Sequence, residues 1–139
     1  MPTLPLPPEV DRLLRKANPA VIATLRKDGS PHTAVTWYDW DGERMLVNMD
    51  STRMRLKHMR RDPRVSVTVM DGAAWYRQVT LFGRVAEIRD DPEFKDIDRL
   101  TLRYTRRQFG NRLRARISAL IEPDGWYGWE GSSLWPPSG

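Results

Sequence analysis

Six segments of the chain combine apolar residues with the period-two alternation that is typical of β-strands. The alternation is clearest where Val65, Val67 and Val69 share one side of a segment. The predicted strands span residues 20–25, 32–39, 44–49, 64–70, 76–89 and 113–121. Asp28-Gly29 and Asp41-Gly42 separate the first three strands, and such pairs supply the positive φ angles that tight hairpins need. We therefore expect these three strands to form a meander.

Three segments carry helix signals instead. Residues 8–17 place Val10, Leu13 and Leu14 on one face. Residues 53–61 follow the possible N-caps Asp50, Ser51 and Thr52, and a third helix is predicted to start at Asp91-Pro92-Glu93 and to reach about residue 108. Gly83, inside the longest strand, predicts a bulge or bend. The pattern indicates a mainly β fold, a closed or nearly closed barrel of six antiparallel strands with about three short helices.

Size and composition fit one globular domain over residues 1–139, with a barrel core over 8–122 and a Trp-, Gly- and Pro-rich tail over 123–139. Hydrophobic residues make up 40% and charged residues 29% of the chain, which excludes a disordered protein. No apolar run approaches the roughly 20 residues that span a bilayer. Cysteine is absent, and residues 1–8 lack the pattern of a signal peptide. We expect a cytoplasmic protein without a membrane partner.

The net charge of +5 makes an acidic partner worth considering, and its distribution identifies a candidate site. Arg53, Arg55 and Lys57 crowd the start of the second predicted helix, where the helix dipole disfavours cations. Free N–H groups and basic side chains at a helix start favour a phosphate instead, and the hydroxyl groups of Ser51 and Thr52 add donors. The alternative is that these side chains are merely solvated.

The order of these motifs resembles that of the split β-barrels related to pyridoxamine-phosphate oxidase, and more closely their deazaflavin-using branch, the F420-dependent reductases. The likeness covers roughly residues 8–122. The matching segments are residues 22–32 (IATLRKDGSPH), 35–43 (VTWYDWDGE), 55–57 (RLK), 58–66 (HMRRDPRVS) and 83–87 (GRVAE).

This resemblance implies a homodimer with the cofactor in a cleft between the subunits. It implies that Arg55 and Lys57 hold the cofactor phosphate and that Thr36 and Trp37 line its ring. Trp75 and Arg77 would approach the cofactor of the partner subunit, by stacking and by charge. The alternative for these two residues is an interface cluster without cofactor contact.

The resemblance leaves two cofactors open, F420 and FMN. Pyridoxamine-phosphate oxidases use FMN and hold their substrate with an Arg-x-His element near the C-terminus. Here the two histidines are His32 and His58, and the corresponding end reads Trp126-Tyr127-Gly128-Trp129. This departure favours F420, whose acidic tail also suits an arginine-rich protein. The expected activity is hydride transfer from reduced F420 to a small organic acceptor, with no evident catalytic acid.

Other classes of function have weaker signals. Residues 99–116 carry seven arginines and no acidic residue, but no nucleic-acid-binding motif accompanies them, so we expect a solvated face rather than a nucleic-acid partner. Two histidines without convergent ligands predict no metal site. A non-catalytic cofactor carrier built on the same barrel remains an alternative.

Overall fold

The computed structural model describes residues 4–137, which form a mainly antiparallel β structure with three helices. The helices are α1 (Pro8–Arg15), α2 (Met54–Arg61) and α3 (Lys95–Thr105). The strands are β1 (Ala20–Leu25), β2 (Pro31–Thr36), β3 (Asp39–Trp40), β4 (Met45–Asp50), β5 (Arg64–Asp71), β6 (Ala74–Asp90), β7 (Arg116–Glu130) and β8 (Ser133–Leu134). Six strands are long and two have only two residues, so the predicted fold class is confirmed.

The strands pair in the order β2-β1-β5-β6-β7-β4-β3, with β8 beside β7. The predicted hairpin of β1 and β2 is confirmed, and Gly29 takes a φ of 86° in its turn. The predicted meander is wrong, because β4 pairs with β7 and β3 and lies at the other end of this order from β2. Tyr38 explains the crossing: its fully buried ring packs edge-on to Tyr104, and its hydroxyl donates to the Lys16 carbonyl. Tyr38 is thus buried against α3 and against the backbone that follows α1, and this burial directs the chain away from β2.

The core is one hydrophobic cluster that joins strands β1, β4, β5, β6 and β7 to helices α1 and α2. Val10, Leu13 and Leu14 of α1 are buried, as predicted from their spacing. All six residues of β4 are buried as well, so this strand is covered on both faces. Polar β4 residues must therefore find partners inside the protein.

The long strands β6 and β7 bend where Gly83 lies, and the ladder shifts register between Phe82 and Gly83. A Cβ atom at Gly83 would collide with the carbonyl oxygen of Glu122 and lie 2.8 Å from the Cα of Pro123. The predicted bend is confirmed, and its cause is close approach of two backbones.

Strand β7 does not end at residue 121 as predicted but continues to Glu130. Pro123 lies opposite Gly83 at the register shift, so its missing N–H is accommodated by the irregular ladder. Trp126 is buried beyond it. Much of the predicted tail is thus part of the sheet, while Ser138 and Gly139 lie outside the described residues.

Helix α3 starts at Lys95, later than the predicted Asp91-Pro92-Glu93, and ends at Thr105 rather than near residue 108. The Asp91 carboxylate explains the late start, because it accepts hydrogen bonds from the backbone N–H groups of Asp96 and Ile97 at 3.1 and 3.0 Å. At the other end Arg103 donates to four carbonyl oxygens, those of residues 14, 15, 16 and 38. These bonds fix α3 against α1 and set one wall of the site.

Candidate functional site

A cavity of about 210 Å³ opens where the end of β2, the middle of β4, the start of β7 and helices α2 and α3 meet. We call it the Arg55 cavity. Its lining residues are Val35, Thr36, Trp37, Asn48, Arg55, Ile97, Leu100, Phe109 and Arg116. The structure therefore brings together three residues that the sequence predicted for a cofactor site: Thr36, Trp37 and Arg55.

Arg55 is a half-buried cation and makes no hydrogen bond or ion pair with any residue between 4 and 137. Burial lowers its pKa, the charges of Arg53 and Arg116 lower it further, and the charge of Asp50 opposes them in part. An arginine in a protein nevertheless remains protonated. A partly buried charge without a partner is unfavourable, so this position favours an anion supplied by a ligand.

The chain before α2 differs from its predicted form. The helix begins at Met54 with Arg53 at the N-cap position and has no side-chain cap hydrogen bond, so the predicted caps are wrong. The Asp50 carboxylate accounts for this difference, because it accepts hydrogen bonds from both the backbone N–H and the hydroxyl group of Thr52. Asp50 also pairs with Arg53 at 3.2 Å. Ser51 and Thr52 therefore form a turn that does not line the cavity.

Lys57 is exposed on α2 and is not among the residues that line the cavity. It follows Arg55 by two positions, which places it about 200° around a helix with 3.6 residues per turn. The two predicted clamp residues thus point to different sides of α2.

Two polar residues that line the cavity, Asn48 and Arg116, were not predicted for the site from the sequence. Arg116 donates from Nε to the Asn48 side-chain oxygen at 2.9 Å, and the Phe109 ring centre lies 4.7 Å from its guanidinium carbon. Nearby, Arg114 lies 3.8 Å from Asp50. The only sequence signal was the arginine-rich stretch, which was interpreted as a solvated face.

Trp37 forms the aromatic wall of the Arg55 cavity. Its ring stacks on Tyr104 with centroids 5.3 Å apart and an angle of 11° between the planes. Thr36 is buried beside it and donates its hydroxyl hydrogen to the Trp37 carbonyl oxygen at 2.8 Å. The stacking orients the indole against Tyr104, and the Thr36 hydroxyl fixes the backbone of Trp37.

Trp75 and Arg77 lie elsewhere on the chain. Trp75 is 73% exposed. Arg77 pairs with Glu130 at 2.6 Å and lies over the ring of Trp135 at 5.4 Å, near the end of β7 that is opposite to Arg116. Neither residue lines the Arg55 cavity of the same chain. Their contact with a partner subunit's cofactor stays a prediction.

The predicted solvated arginine face is in fact partly used by the fold. Arg99 pairs with Asp39 at 3.4 Å, and Arg112 pairs with Asp98 at 2.8 Å. Arg106 and Arg107 are exposed. Several of these arginines therefore act as structural contacts between α3 and its surroundings.

His58 lies on the same helix as Arg55 but faces the core, where its side chain is only 4% exposed. Its Nδ1 lies 2.9 Å from the Thr24 hydroxyl oxygen, and its ring meets His32 edge-on at 5.3 Å. Burial lowers the pKa of His58, and the neighbouring charges of His32, Arg61 and Arg26 lower it further. Protonating His58 is therefore disfavoured in the folded state.

This arrangement predicts a pH-dependent stability. An unfolded histidine titrates near a pKa of about 6.5, and the folded pKa of His58 is lower. The unfolded state then binds more protons, so the His58 contribution is fully present above about pH 6.5 and is lost as the pH falls towards the folded pKa. We expect thermal melts between about pH 7.5 and 5.5 to show a falling midpoint, and the His58→Gln variant to show a smaller slope. Equal slopes in the two proteins would contradict this role.

Two other findings bear on the range of functions. Among residues 4–137 there is no group of three or more His, Asp or Glu side chains placed to hold a metal ion. In the same part of the chain, no helix has the length and apolar character needed to cross a membrane.

Comparisons with known proteins place these features in a family. Residues 6–130 match the protein family described as pyridoxamine 5'-phosphate oxidase. A solved structure named F420 reductase superposes with a TM-score of 0.81 at 25% identity, covering 87% of this chain and 98% of its own. A conserved hypothetical protein of Mycobacterium tuberculosis gives a TM-score of 0.71 at 24% identity, covering 94% and 88% of the two chains.

A FAD and heme binding protein of Mycobacterium smegmatis gives a TM-score of 0.66 at 18% identity, covering all of this chain and 77% of its own. The last two likenesses show a shared fold alone. No curated protein matches the sequence significantly. Because the family match spans most of the chain, the chain belongs to the pyridoxamine 5'-phosphate oxidase family.

Proposed function

We propose that this protein is a cytoplasmic, homodimeric oxidoreductase that binds the deazaflavin cofactor F420 in the Arg55 cavity. In this proposal the reduced cofactor delivers a hydride to a small organic acceptor. The observation that carries it is the unpaired, half-buried Arg55 guanidinium beside the stacked Trp37 ring. A guanidinium group suits a phosphate and an aromatic side chain offers a face to a flat ring, so the two together fit a flavin-type cofactor.

The residues present divide the task of binding. Arg55 neutralises the phosphate, and Arg53 adds positive charge at the start of α2. Thr36 and Trp37 flank the ring and exclude water from that side. Ser51, Thr52 and Lys57 do not line the cavity, so we assign the anion contact to Arg55 and not to these three residues.

The small size of the cavity and the exposed apolar side chains support the proposed dimer. The Arg55 cavity, at about 210 Å³, is smaller than the roughly 300–1,000 Å³ typical of ligand sites. Val35 at its edge is 77% exposed, and Trp75 and Tyr76 are also exposed on the sheet. A second copy covering these apolar residues would enlarge the site and bring Trp75 and Arg77 towards the partner's cofactor.

F420 is preferred over FMN for two reasons. The related structure with the highest TM-score given above is named F420 reductase. In addition, the last long strand carries Trp126 and Trp129 where FMN-using pyridoxamine-phosphate oxidases carry their substrate-binding Arg-x-His element. An FMN-dependent oxidase or reductase is the second candidate, supported by the family match.

A parallel binding titration with F420 and FMN tests the cofactor. We expect micromolar or tighter binding of F420 and weaker binding of FMN, measured by calorimetry at constant ionic strength. Tighter binding of FMN would favour the second candidate, an FMN-dependent oxidase or reductase. Absence of binding by both would refute the function.

Turnover separates an enzyme from a carrier. Reduced F420 would be mixed with the protein and a panel of quinones, enones and tetrapyrroles, and its oxidation followed by absorbance. Acceptor-dependent oxidation supports hydride transfer. Binding of F420 without oxidation by any acceptor would favour the non-catalytic carrier.

A further inference from the structure

The buried side chain of Asn48 has only one orientation that satisfies its neighbours. Ser118 donates its hydroxyl hydrogen to Asp96 at 2.7 Å, so its oxygen is free to accept. The Asn48 amide nitrogen donates to that oxygen at 3.0 Å and to the Asp91 carboxylate at 3.2 Å. With both amide hydrogens committed, the side-chain oxygen of Asn48 must face the opposite way, towards Arg116.

The guanidinium group of Arg116 is consequently held at Nε, while its two terminal amino groups remain available. Its Nε donates to Asn48 at 2.9 Å, and its guanidinium plane lies against Phe109. Its two terminal amino groups make no hydrogen bond within the described part of the chain. The side chain is half-buried and lines the same cavity as Arg55. Two guanidinium groups thus approach one cavity without a carboxylate paired to either.

Phosphate suits this pair of cations better than other anions do. Its oxygen atoms match the planar fork of a guanidinium, and separate phosphate oxygens can each accept hydrogen bonds from one of the two arginines. Two carboxylates, Asp50 and Asp91, act on Arg116 by charge, but neither forms an ion pair with it. Asp50 is engaged with Arg53 and Thr52, and Asp91 accepts hydrogen bonds at the start of α3. A ligand phosphate would therefore supply the counter-charge that the fold does not provide.

We propose that Arg116 is a second phosphate-binding residue of the Arg55 cavity and that Asn48 is its positioning residue. This assignment rests on the cofactor-binding function proposed above and replaces Lys57 with Arg116 as the partner of Arg55. The shared chemistry is a phosphate group, whether it belongs to the cofactor or is free in solution.

The test compares F420 with the deazaflavin riboside, which lacks both the phosphate and the acidic tail, and with the riboside 5'-phosphate, which lacks only the tail and should respond to each variant as F420 does. In the Arg116→Ala variant we expect affinity for F420 to fall about 10- to 100-fold, as for loss of a charge-assisted contact. Affinity for the phosphate-free compound should change less than about threefold. Arg114→Ala removes the same charge from an exposed neighbour and should change either affinity less than about threefold.

Asn48→Ala should lower affinity for F420 more than affinity for the phosphate-free compound, because a misplaced Arg116 loses only the phosphate contact. Equal loss of both ligands in Arg116→Ala would assign a structural role and overturn the proposal. Unchanged F420 binding in Arg116→Ala, with weakened binding in Arg55→Ala, would also overturn it while leaving the proposed function intact.

If the wild-type protein binds no deazaflavin or flavin, inorganic phosphate is used to test whether Arg116 belongs to a phosphate site. Thermal melts would then compare phosphate with chloride at equal ionic strength. A rise in the wild-type midpoint that Arg116→Ala abolishes supports a phosphate site that serves another ligand. Equal responses of the two proteins would overturn the assignment.

Discussion

Replacing Arg55 with alanine is expected to weaken F420 binding about 10- to 100-fold, the usual effect of losing a charge-assisted contact in a partly buried site. Arg55 makes no ion pair or hydrogen bond with residues 4–137, so its removal breaks no internal contact of that kind. It also relieves the repulsion from Arg53 and Arg116 that lowers its pKa. The variant should therefore fold normally. Calorimetric titration with F420 measures the loss.

Lys57→Ala is the matched control, since it removes the same charge from the same helix. Lys57 is exposed and lies off the cavity, so we expect its loss to change F420 affinity less than about threefold, as for a screened surface charge. Equal losses in the two variants would show that general charge, rather than the cavity, attracts the cofactor. Unchanged F420 affinity in Arg55→Ala would show that Arg55 does not bind the cofactor phosphate.

Replacing Gly83 with alanine is expected to destabilise the protein by about 3 kcal/mol or more, at the upper end of overpacking effects. The added Cβ atom would collide with the Glu122 carbonyl oxygen and crowd the Cα of Pro123. Both obstacles are backbone atoms of the neighbouring strand, so no side-chain rotation relieves them. Urea unfolding followed by circular dichroism measures the change.

Gly110→Ala is the control for this prediction. No atom lies within 4 Å of a Cβ built at Gly110, and this glycine is not at positive φ. Its replacement should be neutral or stabilise slightly, by up to about 1 kcal/mol, through a less flexible unfolded chain. A comparable, small effect at Gly83 would mean that β6 and β7 separate easily at the bend.

Local patterns predicted most of the elements of this fold. The face of α1 with Val10 and Leu14, the Asp28-Gly29 hairpin and the bend at Gly83 all depend on residues close together in sequence or on one backbone requirement. Such features follow from turn chemistry and periodicity. They are therefore readable without knowledge of the tertiary structure.

The parts of the fold that were predicted wrongly depend on long-range contacts. The predicted meander is wrong because Tyr38 is buried against distant residues, and one of these, Tyr104, lies 66 positions away. The late start of α3 depends on the Asp91 carboxylate, whose position is fixed by Asn48 of a distant strand. The extended β7 depends on Gly83 accepting Pro123 at a register shift. No local pattern contains these partners.

The sequence predicted only part of the candidate site, because the remaining residues are also brought together by long-range contacts. Thr36, Trp37 and Arg55 were named from charge, spacing and family resemblance, and they meet in one cavity. Lys57 was named with them, but helix geometry turns it away. Arg116 was missed because its role depends on β7 pairing beside β4, which places it next to Asn48.

The location of the cofactor phosphate decides whether Arg55 is the anchor of a cofactor site. In a crystal structure of the protein with F420, we expect the phosphate in the Arg55 cavity, within hydrogen-bond distance of the Arg55 guanidinium. A phosphate held elsewhere on the protein, with Arg55 facing solvent or another side chain, would refute the proposed site.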